Sequence, residues 1–136
     1  MRHFLIIIIL LFSSLLVSCE KKEGIIYSKM RYFGTFQWSR PGNISWRKLG
    51  DEKKDGKYVG EIENGKPNGQ GIITFPDGRK YEGHFEKGEM HGQGIFTFPD
   101  ERKFSGEFRK HKLWNITYYG KDGKIIRKWF NGEKVF

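Results

Sequence analysis

Apolar and polar positions alternate along much of the second half of this chain. Over residues 81–86, alternation places Tyr81, Gly83 and Phe85 on one face and Glu82, His84 and Glu86 on the other. Over residues 94–98, Gly94, Phe96 and Phe98 share a face, with Ile95 and Thr97 opposite. A period of two predicts strands. Asn64-Gly65 and Lys87-Gly88 fall between such runs and predict hairpin turns that need positive φ. Pro76-Asp77-Gly78 predicts a turn into the next hairpin, with Gly78 at the left-handed position. Glu101 stands where that glycine would recur, which predicts modest strain or a changed turn. Near the end, residues 124–130 and 133–136 flank Asn131-Gly132 as a further hairpin, whose Trp129, Phe130 and Phe136 are expected to close the sheet end. Residues 24–50 hold Trp38, Trp46 and Pro41-Gly42 without clear periodicity, and strands or an ordered loop capping the other end are expected there.

The alternating pattern recurs. Residues 58–80 and 81–103 align without gaps at a period of 23. They share the opening Tyr58 and Tyr81, Gly60 and Gly83, Gly65 and Gly88, a Gly-Gln-Gly at 69–71 and 92–94, and both Thr-Phe-Pro-Asp segments. A third copy over 104–126 begins at Phe104 and decays: His111 replaces the turn glycine, and Asn115 and Thr117 fall where the paired glycines are due. Residues 32–36 (YFGTF) are a candidate worn copy upstream. Each repeat is thus a hairpin with alternating glycine and aromatic residues on one face, where a ring can cover the gap left by a missing Cβ.

These residues resemble the MORN (membrane occupation and recognition nexus) repeat family: Tyr-x-Gly-x-aromatic, a turn glycine, Gly-x-Gly and an apolar strand. Two copies match over 58–103 and a third in part. The resemblance implies an elongated, twisted antiparallel sheet of successive hairpins that acts as a scaffold or as a protein- or lipid-interaction module, with no room here for a separate catalytic domain.

The first residues follow a different logic. Arg2 and His3 precede an apolar run over 4–17, broken only by Ser13 and Ser14. Fourteen residues fall short of the roughly 20 that a spanning helix needs, and fit a signal-peptide core over 1–18. Leu16-Val17-Ser18-Cys19 resembles the bacterial lipobox, which implies cleavage between Ser18 and Cys19 and lipid attachment at Cys19. An ordinary signal anchor with an incidental cysteine is the alternative. Residues 19–31 are then the lipidated cysteine and a charged tether, and 32–57 an N-terminal cap or degenerate repeat.

Composition supports this outline. Gly accounts for 18 of 136 residues and aromatics for 16%, a balance that disfavours helices. The expected fold is all-β, the elongated repeat sheet preceded by a signal helix. Net charge is +9, and +8 without residues 1–18, which attracts polyanions, although export removes nucleic acid as a partner. Cys19 is the only cysteine, so no internal disulfide forms and continuous sheet pairing or an anchor must stabilise the domain.

Catalytic chemistry finds little footing. His84, His91 and His111 lack metal-ligand spacing, so neither a metal nor a cofactor is expected. Glu61, Glu63, Glu82 and Glu86 sit on the charged face, where solvated pairs with lysine are the ordinary outcome of such spacing. What remains is the aromatic face, with Tyr58, Phe75, Tyr81, Phe85, Phe98 and Phe104 as candidate binding residues. Either these rings only stabilise a curved sheet, or a groove or edge receives a partner peptide. The expected function is a non-catalytic, membrane-anchored lipoprotein of the bacterial cell envelope, on its periplasmic or surface side. It would act as a protein-interaction or scaffold module for an envelope partner, with direct contact to anionic lipid or acidic glycan as the alternative.

Overall fold

The computed structural model describes residues 22–29 and 45–136. The signal segment, Ser18, Cys19 and the 32–36 segment lie outside them. Ten strands occur: β1 (Lys22–Lys29), β2 (Ser45–Arg47), β3 (Gly56–Glu63), β4 (Lys66–Thr74), β5 (Lys80–Glu86), β6 (Glu89–Thr97), β7 (Lys103–Arg109), β8 (Lys112–Tyr119), β9 (Ile125–Phe130) and β10 (Glu133–Lys134). They form one antiparallel, twisted open sheet in the order β10-β9-β8-β7-β6-β5-β4-β3-β1-β2. The expected all-β architecture of successive hairpins is therefore what the chain adopts.

Turn chemistry explains the repetition. Asn64 and Gly65, Lys87 and Gly88, Lys110 and His111, and Asn131 and Gly132 all have φ between 47° and 84°, the paired positive values that suit a two-residue turn to the twist of its strands. Between hairpins, the Phe75 amide donates to Arg79 O at 2.8 Å and the Gly78 amide to Phe75 O at 2.9 Å. The same two bonds recur at Phe98–Arg102 and Glu101–Phe98 (2.9 and 3.0 Å). The turn is unchanged there, and Glu101 carries the strain with φ 70°.

Successive hairpins are also tied at their tips. The Gly88 amide donates to Pro67 O, His111 to Met90 O and Gly132 to Trp114 O, at 2.8, 3.0 and 2.9 Å. Beside each tie, a side chain of the preceding hairpin accepts from the next turn: Asn68 Oδ1 from the Lys87 amide, His91 Nδ1 from the Lys110 amide and Asn115 Oδ1 from the Asn131 amide. Nothing in the alternating pattern marks Asn68, His91 or Asn115 for this role.

Two departures from expectation matter. Residues 22–29, expected within the tether, form β1 and pair with β3 from Lys22↔Ile62 to Ser28↔Gly56. β1 is the trailing strand of an upstream half-repeat: Gly24-Ile25-Ile26 matches Gly71-Ile72-Ile73, and Gly24 faces Gly60 as Gly71 faces Gly83.

The third hairpin, in turn, is shorter than its predecessors. From Gly60↔Gly71 to Ile62↔Pro67, two steps on β3 match four on β4, and β5 and β6 repeat this between Gly83↔Gly94 and Phe85↔Met90. On β7 and β8, one step matches two, from Glu107↔Asn115 to Phe108↔Leu113. An odd displacement moves the inward-facing positions of β8 by one residue. Ile116, not Thr117, consequently stands in the glycine position opposite Gly106.

One face of the sheet holds the core, which runs from Ile26 through Tyr58, Tyr81, Phe85 and Phe108 to Ile116. The other presents Ile25, Val59, Ile72 and Ile95 among charged residues.

Candidate binding surface

The inner face is organised by a line of glycines. Register carries Gly24, Gly60, Gly71, Gly83, Gly94 and Gly106 directly across six neighbouring strands. Into the resulting trough lie the tyrosines one row away. A Cβ on Gly71 would fall within the Tyr58 ring, and one on Gly94 within the Tyr81 ring. Both phenols reach backbone: Tyr58 Oη donates to Glu61 O at 2.8 Å and Tyr81 Oη to His84 O at 3.0 Å. Burial, joined by the Glu61 carboxylate at Tyr58, pushes both phenols well above the usual tyrosine range, so they are donors at any physiological pH.

From this trough the rings interlock in two chains. Trp46, Tyr58, Phe85, Tyr81 and Phe108 meet edge to face at centroid separations of 4.9–5.9 Å. Phe96, Phe98 and Phe104 continue at 5.3 and 5.6 Å, and Phe104 then stacks on Tyr118 at 4.5 Å and meets Trp129 at 5.7 Å. Of the six candidate residues, Tyr58, Phe75, Tyr81, Phe85 and Phe104 are buried, and only Phe98 is partly open. The structure thus places five of the six in the interior, and burial supports a sheet-stabilising role for those five.

An opening survives where the repeats decay. Phe98, Phe104, Leu113, Tyr118 and Trp129, with Arg102 and Arg127, line a cavity of about 310 Å³. Arg102 is held in place by Asp100, which accepts from Nε at 2.6 Å, and by Tyr118 Oη at 2.8 Å from Nη1. Arg127 faces Tyr118 across β8 and β9. It ends a register row that otherwise runs Ile26, Tyr58, Ile73, Tyr81, Phe96, Phe104 and Tyr118. Sequence reasoning missed this cavity because the bulges that aim Arg127 and Trp129 inward depend on pairing. At the same end Phe130 and Phe136 are 61% and 60% exposed, so Trp129 alone of the three expected rings closes the core.

The four candidate carboxylates have separate partners. Glu61 accepts from the Gln70 amide and Glu63 from Asn68 Nδ2, while Glu82 lies 3.8 Å from Lys80 and Glu86 3.2 Å from His91. Among the described residues, no group of three or more His, Cys, Asp or Glu side chains is placed to hold a metal. His111 is buried with its Nδ1 accepting from the Met90 amide at 3.3 Å and its Nε2 unpartnered. Burial pulls its pKa down to about 4, so the imidazole is neutral.

Charge is unevenly spread. Residues 58–101 hold four Lys and Arg against eight Asp and Glu, net −4, whereas residues 102–136 hold ten against three, net +7. The basic excess therefore lies around the cavity and at the N-terminal side, not on the two complete repeats.

Comparison with known families agrees with the hairpin boundaries. The MORN repeat matches residues 58–78 and 81–101, the β3–β4 and β5–β6 hairpins with their connecting turns. No curated protein matches the chain.

Proposed function

We propose that this chain is a membrane-anchored lipoprotein of the bacterial envelope whose MORN-type sheet serves as a non-catalytic interaction module. The observation that carries the reading is a continuous repeat sheet whose rings fill its own interior and whose carboxylates and imidazoles are dispersed. Such a surface offers shape and charge to a partner. The anchor half of the reading rests on Leu16-Val17-Ser18-Cys19 behind a 14-residue apolar run. Because β1 begins at Lys22, only Glu20 and Lys21, at most roughly 11 Å of extended chain, would separate a lipidated Cys19 from the sheet. An anchored sheet would stand directly on the bilayer.

Two measurements test it. Radiolabelled palmitate should enter the wild-type chain and not Cys19→Ala. Cross-linking of the anchored protein in intact cells should recover a specific envelope protein, and that yield should fall when residues 58–103 are deleted. Unlabelled wild type would sink the anchor, and an unchanged cross-linking pattern after deletion would sink the module.

Direct contact with anionic lipid or acidic glycan is the second reading, favoured by the +7 balance of residues 102–136. Its mark is liposome or glycan binding that weakens steeply with salt.

A further inference from the structure

We propose that the cavity between Phe98, Phe104, Tyr118 and Trp129 captures the C-terminal residue of a partner polypeptide, its apolar side chain in the cavity and its carboxylate on Arg127 and Arg102. The proposal rests on the interaction-module reading and names the chemistry of the partner.

Arg127 carries the argument. Seven of the eight positions in its register row are aliphatic or aromatic, and Arg127, half-buried at the end of that row, gives up part of its hydration. Among the described residues it makes no ion pair. Arg102, on the same cavity, uses Nε for Asp100 and one Nη1 proton for Tyr118, leaving further donors of its planar fork. The Arg102 guanidinium, held by Asp100 and Tyr118, and that of Arg127 beside the same cavity suit a planar carboxylate, which accepts bidentate pairs. The surrounding segment carries the charge excess that would draw an anion there.

The remaining lining selects among anions. Apart from the Trp129 indole N–H and the Tyr118 hydroxyl the wall is hydrocarbon, so most of the several hydroxyls of a uronate would be buried unpaired. Phosphate would leave the apolar wall unused. An internal Asp or Glu would drag backbone amides on both sides into an apolar cavity. A chain terminus with a large apolar last residue presents side chain and carboxylate from one Cα, which is the arrangement this wall and these guanidiniums accept.

Calorimetric titration of the full chain tests this with N-acetyl-Gly-Ser-Gly-Ser-Leu-Phe as free acid, the same peptide as C-terminal amide, and 3-phenylpropionate. The free acid should bind, the amide at least about tenfold more weakly, and Arg127→Leu should bring the acid down to the amide's level. Leucine suits the apolar row, and Arg127→Lys, which keeps the charge but not the fork, should fall between. Equal affinity for acid and amide, or full affinity in a folded Arg127→Leu protein, overturns the proposal. Binding of 3-phenylpropionate as tight as the peptide overturns its polypeptide part. Should no peptide bind while cross-linking still recovers an envelope partner, the cavity assignment fails and the module stands. Peptide binding with no cross-linked partner would uphold the cavity assignment and remove the envelope module.

Discussion

The Tyr81 ring occupies the space that a β-carbon on Gly94 would need, and its hydroxyl closes on the His84 carbonyl at 3.0 Å. Gly94 does not have positive φ, so its requirement is for room and not for backbone freedom. Gly94→Ala should therefore cost about 3 kcal/mol through overpacking alone. Gly65→Ala, at φ 73° with nothing near, should cost about 1 kcal/mol from the backbone alone. Urea midpoints of the two variants at unchanged m-value check the ratio, and equal losses would contradict the packing account.

Removing the hydroxyl isolates the other half of that relationship. Tyr81→Phe keeps the ring in the trough but leaves the His84 carbonyl short of a donor, and should cost about 1–2 kcal/mol. The third hairpin has already made this exchange. Phe104 lacks a hydroxyl, and Ile116 fills the position opposite Gly106. Phe104→Tyr should accordingly destabilise and not strengthen the sheet, as denaturant melts of both variants would reveal.

His111 makes stability depend on pH. Its folded pKa, near 4, lies below the ordinary 6.5, so the folded state resists protonation. The stability this neutral ring supports is complete above pH 6.5 and is lost as pH falls towards 4, by about 3 kcal/mol in all. His111→Asn tolerates the left-handed backbone and does not titrate over that window. The gap between wild-type and variant urea midpoints should narrow in favour of the variant from pH 7 to pH 4, and parallel curves would count against a buried neutral imidazole.

Glu101 holds a left-handed conformation that Gly78 adopts freely in the preceding turn. Glu101→Gly should stabilise by about 1 kcal/mol, raising Tm by roughly 4–8 °C for a domain of this size. Differential scanning calorimetry checks it. No gain would mean that the Glu101 side chain makes compensating contacts.

Much of this fold is legible in the residues, for reasons tied to period and turn. Alternation in 58–103 determines which faces of β3 to β6 turn inward, and Asn64-Gly65, Gly78 and Lys87-Gly88 locate their turns, because these depend only on neighbours in sequence. Ile116 is the instructive miss. Carrying the 23-residue period forward selects Thr117 for the glycine position, and one missing bulge residue moves the assignment by one. β1 was hidden differently: Gly24-Ile25-Ile26 repeats a strand without its hairpin partner, so no turn flags it. The six aromatic residues were identifiable as a set, but burial turns on how strongly the sheet wraps them, which composition does not disclose. The Phe98–Trp129 cavity, which needs β9 to be bulged against β8, was not legible at all.

The even displacement within the first two hairpins has an outcome for how this chain can lengthen. A 23-residue unit cut at the Lys80/Tyr81 or Lys103/Phe104 junction starts and finishes facing the same way, so duplication there yields another matching tier without redesign. Beyond Tyr119 the odd step between β7 and β8 is undone by a second one, between Tyr118↔Arg127 and Tyr119↔Ile125. Arg127, 23 residues after Phe104, is thereby back in the inner row, so the period itself outlasts the third hairpin, and what ends the stacking is a guanidinium standing where a ring is due.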